Sequence, residues 1–409
     1  MMSQSSPLPQ SAAEKANALT EFVRDLQDVA WQARLFRGAQ LEDSLLSDVL
    51  APLPRVRPPR LAVGIGDDAA VLIPSGRPVL LASDLCVEHR HFELHLSPAE
   101  DIGYKALARP MSDIVAMGGV SVAVTLSVAV PEAWSYEKCQ NFLRDFFRGA
   151  HNLARMENVD IAGGDLTRTR GPLCIDVTAY GELPAQGSPW LRSQAQVGDL
   201  IFVSGSLGRG LRGLHLLEQL YREQPDQAPH FNLSNLKPEH QNAIEHYRRP
   251  HPRTDLQRAM SASKITPRAC MDISDGILRD LHRMAQASGV QITVDATKIH
   301  RHPAVADLSE KEIFRHKQAG DEYELLFAIA PDQAQEHIAT LSEWHVRPIG
   351  VVTDSREIGL RVHRPAGHIE EGHDPFEDLE NLRQLWDRSA DLAEIPSQLG
   401  RRWLKFLSR

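Results

Sequence analysis

Apolar and polar positions along this chain follow two rhythms, one of period two and one of helical spacing. Alternation predicts strands at "RLAVGI", "AVLI", "PVLLAS", "VAVTLSVAV" and "LCIDVTAYGEL", all within residues 60–183. Helical spacing intervenes twice. The first helix opens at "SPAE", where Ser97 can cap, Pro98 suits the first helical position and Glu100 completes a capping box. The second covers roughly 135–156. "PAQGSPWLRSQAQVG" (184–198) then reads as a linker. A second unit repeats the alternation with strand "DLIFVSG", a helix near 208–222, strand "ACMDIS" and helix "DGILRDLHRMAQAS" stopped by Gly289. Strands "QITVDA", "YELLFAIA" and "RPIGVVT" follow. Residues 222–257 are polar and rich in Pro and His, which predicts a surface excursion. Upstream, Leu19, Phe22, Val23, Leu26, Val29 and Ala30 recur at helical spacing and predict one amphipathic helix. The expected fold class is α/β (α+β), in two domains. They span 38–185 and 190–377, with a helical extension at 1–37 and a charged, weakly helical tail at 378–409.

Composition narrows the function. The 409 residues are 42% hydrophobic and 24% charged, as in a soluble globular protein of about two domains. A formal net charge of -9 argues against a general nucleic-acid binder but not against a nucleotide, because a bound metal can supply positive charge. Cys86, Cys139, Cys174 and Cys270 lie far apart and form no CxxC pair, which indicates neither a zinc site nor a disulfide framework. Reduced thiols, the absence of a secretory pattern in "MMSQSSPLPQ" and the lack of any span-length apolar run lead to an expectation of a cytoplasmic protein with no membrane association.

The candidate chemistry lies in acids at strand ends. "GIGDDAAV" sets Asp67 and Asp68 side by side, which serves either a turn or a divalent cation that takes hard oxygen ligands. Asp84, Asp165, Asp272 and Asp275 likewise end apolar strands beside Gly or Ser. Together they suggest an acidic pocket, in which neighbouring carboxylates raise each other's pKa until magnesium and the phosphates it bridges relieve the repulsion. Asp113 sits among Ile114, Ala116 and Met117 in a helix and needs a partner if it faces inward. Phosphate contacts are expected from "GGDLTRTRG" (163–171) and "SGSLGRG" (204–210), since glycines let backbone amides approach anions. No P-loop, G-x-S-x-G elbow or H-E-x-x-H pair is present.

The ordered series "GIGDDAAV", "SDLCVEHRHF", "SPAEDIGYKALARPMSDIVAMGG", "IAGGDLTR", "RSQAQVGDLIFVSG", "RRPHPR", "MDISDGILRDL" and "AGDEYELLF" resembles the thiamine-monophosphate kinase family. That family belongs to the superfamily of aminoimidazole ribonucleotide synthetase, selenophosphate synthetase and a hydrogenase maturation factor. The resemblance spans about 38–376 and implies a two-domain synthetase-like fold whose N-terminal domains pair into a homodimer. It also implies phosphorylation of thiamine monophosphate to thiamine diphosphate by ATP with several Mg2+ ions. Carried over position by position, it makes Asp68, Ser83, Asp84, Asp113, Asp165, Asp272 and Asp275 metal ligands. Asp68, Asp84, Asp113 and Asp275 are the expected catalytic acids. Gly164, Asp165, Arg192 and Ser274 would bind the nucleotide, and His91, Asp321 and Phe376 the acceptor. Asp321 falls where the family most often has Glu, at the acceptor's ring end, and Pro110 stands where it usually has Asn or Ala. Proline there removes the backbone bond to Ala106 and predicts a kink just before Asp113. An acceptor that is already a phosphate needs no general base, so positioning and charge neutralisation carry the chemistry. Two alternatives remain: a related enzyme acting on another phosphorylated or carboxylated acceptor, and a non-catalytic nucleotide-binding scaffold.

Overall fold

A computed structural model of the chain describes residues 61–371, apart from 64–68, 74, 186, 310–312, 314–319 and 364–368. The helix expected within 1–37, Asp67, Asp68, Phe376 and the tail from 378 lie outside the described residues. Short strands β1 (Leu61–Val63) and β2 (Val71–Leu72) pair antiparallel. Strand β3 (Val79–Val87) leads into helix α1 (Ala99–Ala116), followed by β4 (Val120–Pro131), α2 (Tyr136–Glu157), β5 (Asp160–Thr169) and β6 (Cys174–Glu182). These strands form a four-stranded sheet in the order β3-β6-β4-β5. β4 and β5 run parallel because α2 carries the chain back between them, and the other pairings are antiparallel.

Both helices cover one face of this sheet, over a core that includes Leu107, Met111, Leu143, Phe146, Val128 and Ile175. The helices approach closely because glycine stands at each contact. A Cβ on Gly103 would lie 1.9 Å from the Phe146 carbonyl oxygen, and one on Gly149 1.8 Å from that of Glu100. The pleat divides β3 between two environments. Leu80 and Ala82 pack inward, whereas Val79, Leu81 and Leu85 are exposed on the other face.

The second unit comprises β7 (Leu200–Val203), α3 (Arg209–Glu223), α4 (Pro238–Arg248), α5 (Thr254–Ala262), β8 (Ala269–Asp272), α6 (Ile277–Ser288), β9 (Gln291–Asp295), β10 (Leu325–Ile329), α7 (Pro331–Glu336), α8 (Ile338–Glu343), β11 (Arg347–Thr353), β12 (Gly359–His363) and β13 (Ile369–Glu371). Among the described residues its sheet has seven strands, ordered β13-β12-β9-β11-β7-β10-β8. All neighbours are antiparallel except β9 and β12. Helix α6 ends at Gly289, whose φ of 67° gives the left-handed cap expected there.

Three local expectations differ from what is observed. Residues 222–257 are not a surface excursion: within them Ala243, Ile244 and Tyr247 bury one face of α4 against Leu217 and Leu220 of α3. The many polar residues on the remaining faces masked that stripe. "GGDLTRTRG" is not a phosphate turn but part of strand β5, where a Cβ on Gly164 would lie 1.8 Å from the Leu126 carbonyl oxygen. Helix α1 starts one residue later than the capping box requires, with Pro98 at the cap and no side-chain cap bond. Glu100 is instead drawn to Arg148 at 2.8 Å and Arg249 at 3.1 Å. Helix α1 contains Pro110 and runs to Ala116.

Helix α1 lies between the two units. Ser112 donates to Asp272 at 2.7 Å, Gln257 to the Gly118 carbonyl at 2.8 Å and Arg248 to the Leu96 carbonyl at 2.9 Å. The Gly149→Ala variant tests how tightly the covering helices are set. It should lower the free energy of unfolding by about 2 kcal/mol, because the added methyl meets backbone. An unchanged urea midpoint would show that α1 and α2 can part without loss.

Candidate active site

A cavity of about 430 Å³ opens where the end of β3, helix α1, the loop after β8, the turn before β10 and helices α3 and α4 meet. Asp84, His91, Asp113, Asp272, Ser274, Asp275 and Asp321 all line it. The structure therefore brings together acids that lie far apart in sequence. At the inner end, burial and the charges of Asp272 and Asp84 push the Asp113 carboxyl up to about 7. Burial also raises Asp272, although Ser112 donates to it. Exposed Arg192 acts on both carboxyls from nearby. Asp275 pairs with Arg283 and, at 3.6 Å, with Arg279. Its backbone N–H donates to buried Asp280 at 3.1 Å, which fixes the turn.

Two expected ligands project elsewhere. Ser83 lies on the outward face of β3 and hydrogen-bonds Asp176 at 3.1 Å and Thr178 at 3.0 Å. Asp165 pairs in register with Ser127, and Ser127 with Asp176, which puts Asp165 on that same outward face. With Gly164 it occupies β5, the sheet edge opposite β3, away from Asp84 within the chain. Strand parity thus separates Ser83 from Asp84 and Asp165 from the cavity.

Two cations stand against the middle of the cavity, Arg109 lining it and Lys105 behind it, and sequence reading missed both. Lys105 and Arg109 stand one helical turn apart on α1. Lys105 pairs with Asp321 at 2.8 Å, and Arg109 reaches Asp84 at 3.3 Å and Asp321 at 3.6 Å. Burial alone would raise Asp321, but these two cations and the Tyr323 hydroxyl, at 2.8 Å, pull its carboxyl down to about 2. The charge expected to meet an acceptor ring is therefore already balanced inside the protein. Asp321 and Tyr323 both have left-handed backbone, with φ of 60° and 51°, a strained turn of the kind found at functional sites. His91 accepts the Val87 N–H at Nδ1, at 2.9 Å, so its proton is on Nε2. Burial and Arg109 lower its pKa, leaving a neutral donor.

The "SGSLGRG" turn does not offer its amides to a phosphate. Gly208 and Gly210 donate to the buried Glu322 carboxylate at 2.9 Å and 3.3 Å. Glu324 beside it accepts from Ser204 at 2.5 Å, Arg209 at 2.6 Å and Arg253. The available signal was an acid inside the apolar run "YELLFAIA", since a buried carboxylate needs cationic partners.

Comparison with known proteins places these features in a wider group. Residues 66–183 match the family described as AIR synthase related protein, N-terminal domain, and residues 196–363 match its C-terminal domain. The chain is 34% identical over 276 residues to thiamine-monophosphate kinase of Bacillus subtilis, covering 66% of this chain and 78% of that protein. Its fold is similar to the crystal structure of thiamine-monophosphate kinase from Stenotrophomonas maltophilia, with a TM-score of 0.62 and 30% identity over 79% of this chain and 94% of that one. It is also similar to AaThiL complexed with AMPPCP and TMP, with a TM-score of 0.60 and 26% identity over 75% and 90% of the two chains. Among the described residues no helix is long and apolar enough to cross a membrane.

Lys105→Met should destabilise the fold by about 2 kcal/mol, because it removes the nearest cation of a half-buried carboxylate. In the wild type the Asp321 pKa is depressed, so its contribution is present above the ordinary carboxylate value and fades as the pH falls towards about 2. Denaturation of wild type and variant across that range should show the gap narrowing in acid. A gap independent of pH would detach Lys105 from Asp321.

Proposed function

The chain belongs to the thiamine-monophosphate kinases, within the AIR synthase-related family, and on that basis we propose that its cavity transfers the γ-phosphoryl group of ATP directly to thiamine monophosphate. ADP and thiamine diphosphate are the products. The observation that carries this reading is the charge order of the cavity: acids at the inner end, then the Arg109 cation, with Lys105 behind Asp321 and neutral His91 alongside. The acceptor oxygen of a phosphate monoester is already anionic near neutral pH, so the residues need only position reactants and balance charge. In this reading Arg109, charged at any working pH, lies beside the acceptor phosphate, and the His91 Nε2–H donates to it. Arg192 and Ser274 contact the nucleotide.

The inner acids fit magnesium. Among the described residues no three ligating side chains are already gathered for an ion, but magnesium is commonly held by one or two carboxylates with substrate phosphates completing the shell. Asp84, Asp113 and Asp272 are hard oxygen donors, and burial together with their mutual repulsion holds the Asp113 carboxyl up at about 7. These residues, with Asp68 and Asp275, would hold the ions. Bound magnesium supplies neutralisation of the charge on the phosphate oxygens during in-line transfer.

The exposed Val79, Leu81 and Leu85 on β3 support pairing of this sheet face between two copies, giving a homodimer. Ser83, Gly164 and Asp165 serve the site only in that paired molecule. Domain limits of 38–185 and 190–377 and a cytoplasmic location complete the reading.

The direct test incubates the protein with ATP, magnesium and a panel of phosphorylated acceptors, and identifies products by mass. Thiamine diphosphate and ADP in equal amounts are expected, and ATP consumption indifferent to thiamine monophosphate would overturn the assignment. Asp113→Asn should lower turnover about a hundredfold, equivalent to about 2.7 kcal/mol. Its stability without magnesium should hold or rise, because one repelling carboxylate has gone. A variant that turns over normally but melts early would make Asp113 structural. Leu81 is 71% exposed, so Leu81→Glu should convert a dimer to monomers of 45.6 kDa by light scattering. A wild-type protein already of that mass removes the dimer.

A further inference from the structure

Beyond Asp321 the cavity is lined by α3 and Tyr247. Gly210, Leu214 and Glu218 recur every four residues and line it from one stripe of α3. Glu218 is half-buried, and among the described residues nothing hydrogen-bonds or ion-pairs with it. The other carboxylates at this end are engaged. Asp321 is held by Lys105 and Arg109, while Glu93 lies 2.9 Å from His89 Nδ1 and 3.7 Å from His95 Nδ1. Arg90 lines the same rim without an ion pair to Glu218. The Lys105 ammonium sits 4.1 Å from the centre of the Tyr247 ring, but its charge is countered by Asp321. Buried Arg109 Nε has no partner among the described residues. Along the cavity the charged groups therefore run from the inner acids to Arg109, shared between Asp84 and Asp321, and then to one uncommitted acid.

We propose that Glu218 is the counter-ion for the acceptor's cationic heterocycle and so determines specificity, with Arg109 facing the acceptor's phosphate. The assignment rests on thiamine monophosphate being the acceptor. That molecule carries an anionic phosphate and a permanently cationic thiazolium ring, the same order of charge that the cavity complements from its middle outwards. Matched fields orient a bound zwitterion and reject neutral or reversed analogues. Glu218 touches neither reacting oxygen, so its effect belongs to binding.

Calorimetry on the full chain with magnesium would compare thiamine monophosphate with a phosphate ester in which a neutral thiophene replaces the thiazolium. The wild type should bind the cationic ligand about tenfold more tightly. Glu218→Gln keeps the shape and removes the charge. It should weaken the cationic ligand about tenfold and leave the neutral ligand, ATP affinity and melting temperature unchanged, while Glu218→Asp restores part of the preference. No preference in the wild type, or an unchanged ratio in Glu218→Gln, overturns the proposal. Failure of the kinase reading looks different: the cationic ligand binds with Glu218-dependent preference, yet mass analysis finds no diphosphate.

Discussion

Burial of helix α1 is the constraint on which the rest of the molecule depends. Its apolar side completes the core of the four-stranded sheet, while its remaining sides meet the second unit, so few of its residues reach solvent. A helix enclosed this way cannot leave charge unpartnered, because an isolated buried ion is far more expensive than a paired one. Apart from Asp113, its charged and hydrogen-bonding residues are matched, most of them across the boundary: Asp101 with Arg249, Lys105 with Asp321, Arg109 with Asp321 and, within its own unit, with Asp84, and Ser112 with Asp272. Those pairings hold the two units in register, and the cavity is what remains between them.

The same pairing logic continues into the second unit. Glu322 and Glu324 bind the amides of Gly208 and Gly210 and the guanidinium groups of Arg209 and Arg253. An internal carboxylate thereby occupies a glycine-rich turn that would otherwise attract an external anion. The contact ties the start of α3 to the strained turn at Asp321 and Tyr323. That tie aims the stripe of Gly210, Leu214 and Glu218 into the cavity. Asp113 is the exception to complete pairing. Its carboxyl stays near 7 because burial and two like charges act on it together, the condition expected where a cation or a substrate supplies the balance.

Alternation and helical spacing were sufficient for most elements, since a strand or helix with one buried face must display its period in sequence. Gly289 marked the end of α6, and acids at strand ends marked Asp84, Asp272 and Asp275 as cavity residues. Local signals failed where a residue served something distant. Glu100 fitted a capping box but was taken by Arg148 and Arg249, and α4 looked like solvent-facing chain because its buried stripe is narrow. The fold class, the family and the acids could be read from the residues alone, because periodicity and ordered motifs are properties of the chain. Folding in space settled which acids share one cavity, that Ser83 and Asp165 face away from it, that Arg109 and Glu218 line it and that Lys105 backs Asp321 there. The reason is that charge acts through distance in space: Lys105 and Asp321 meet at 2.8 Å although the chain separates them by most of two domains.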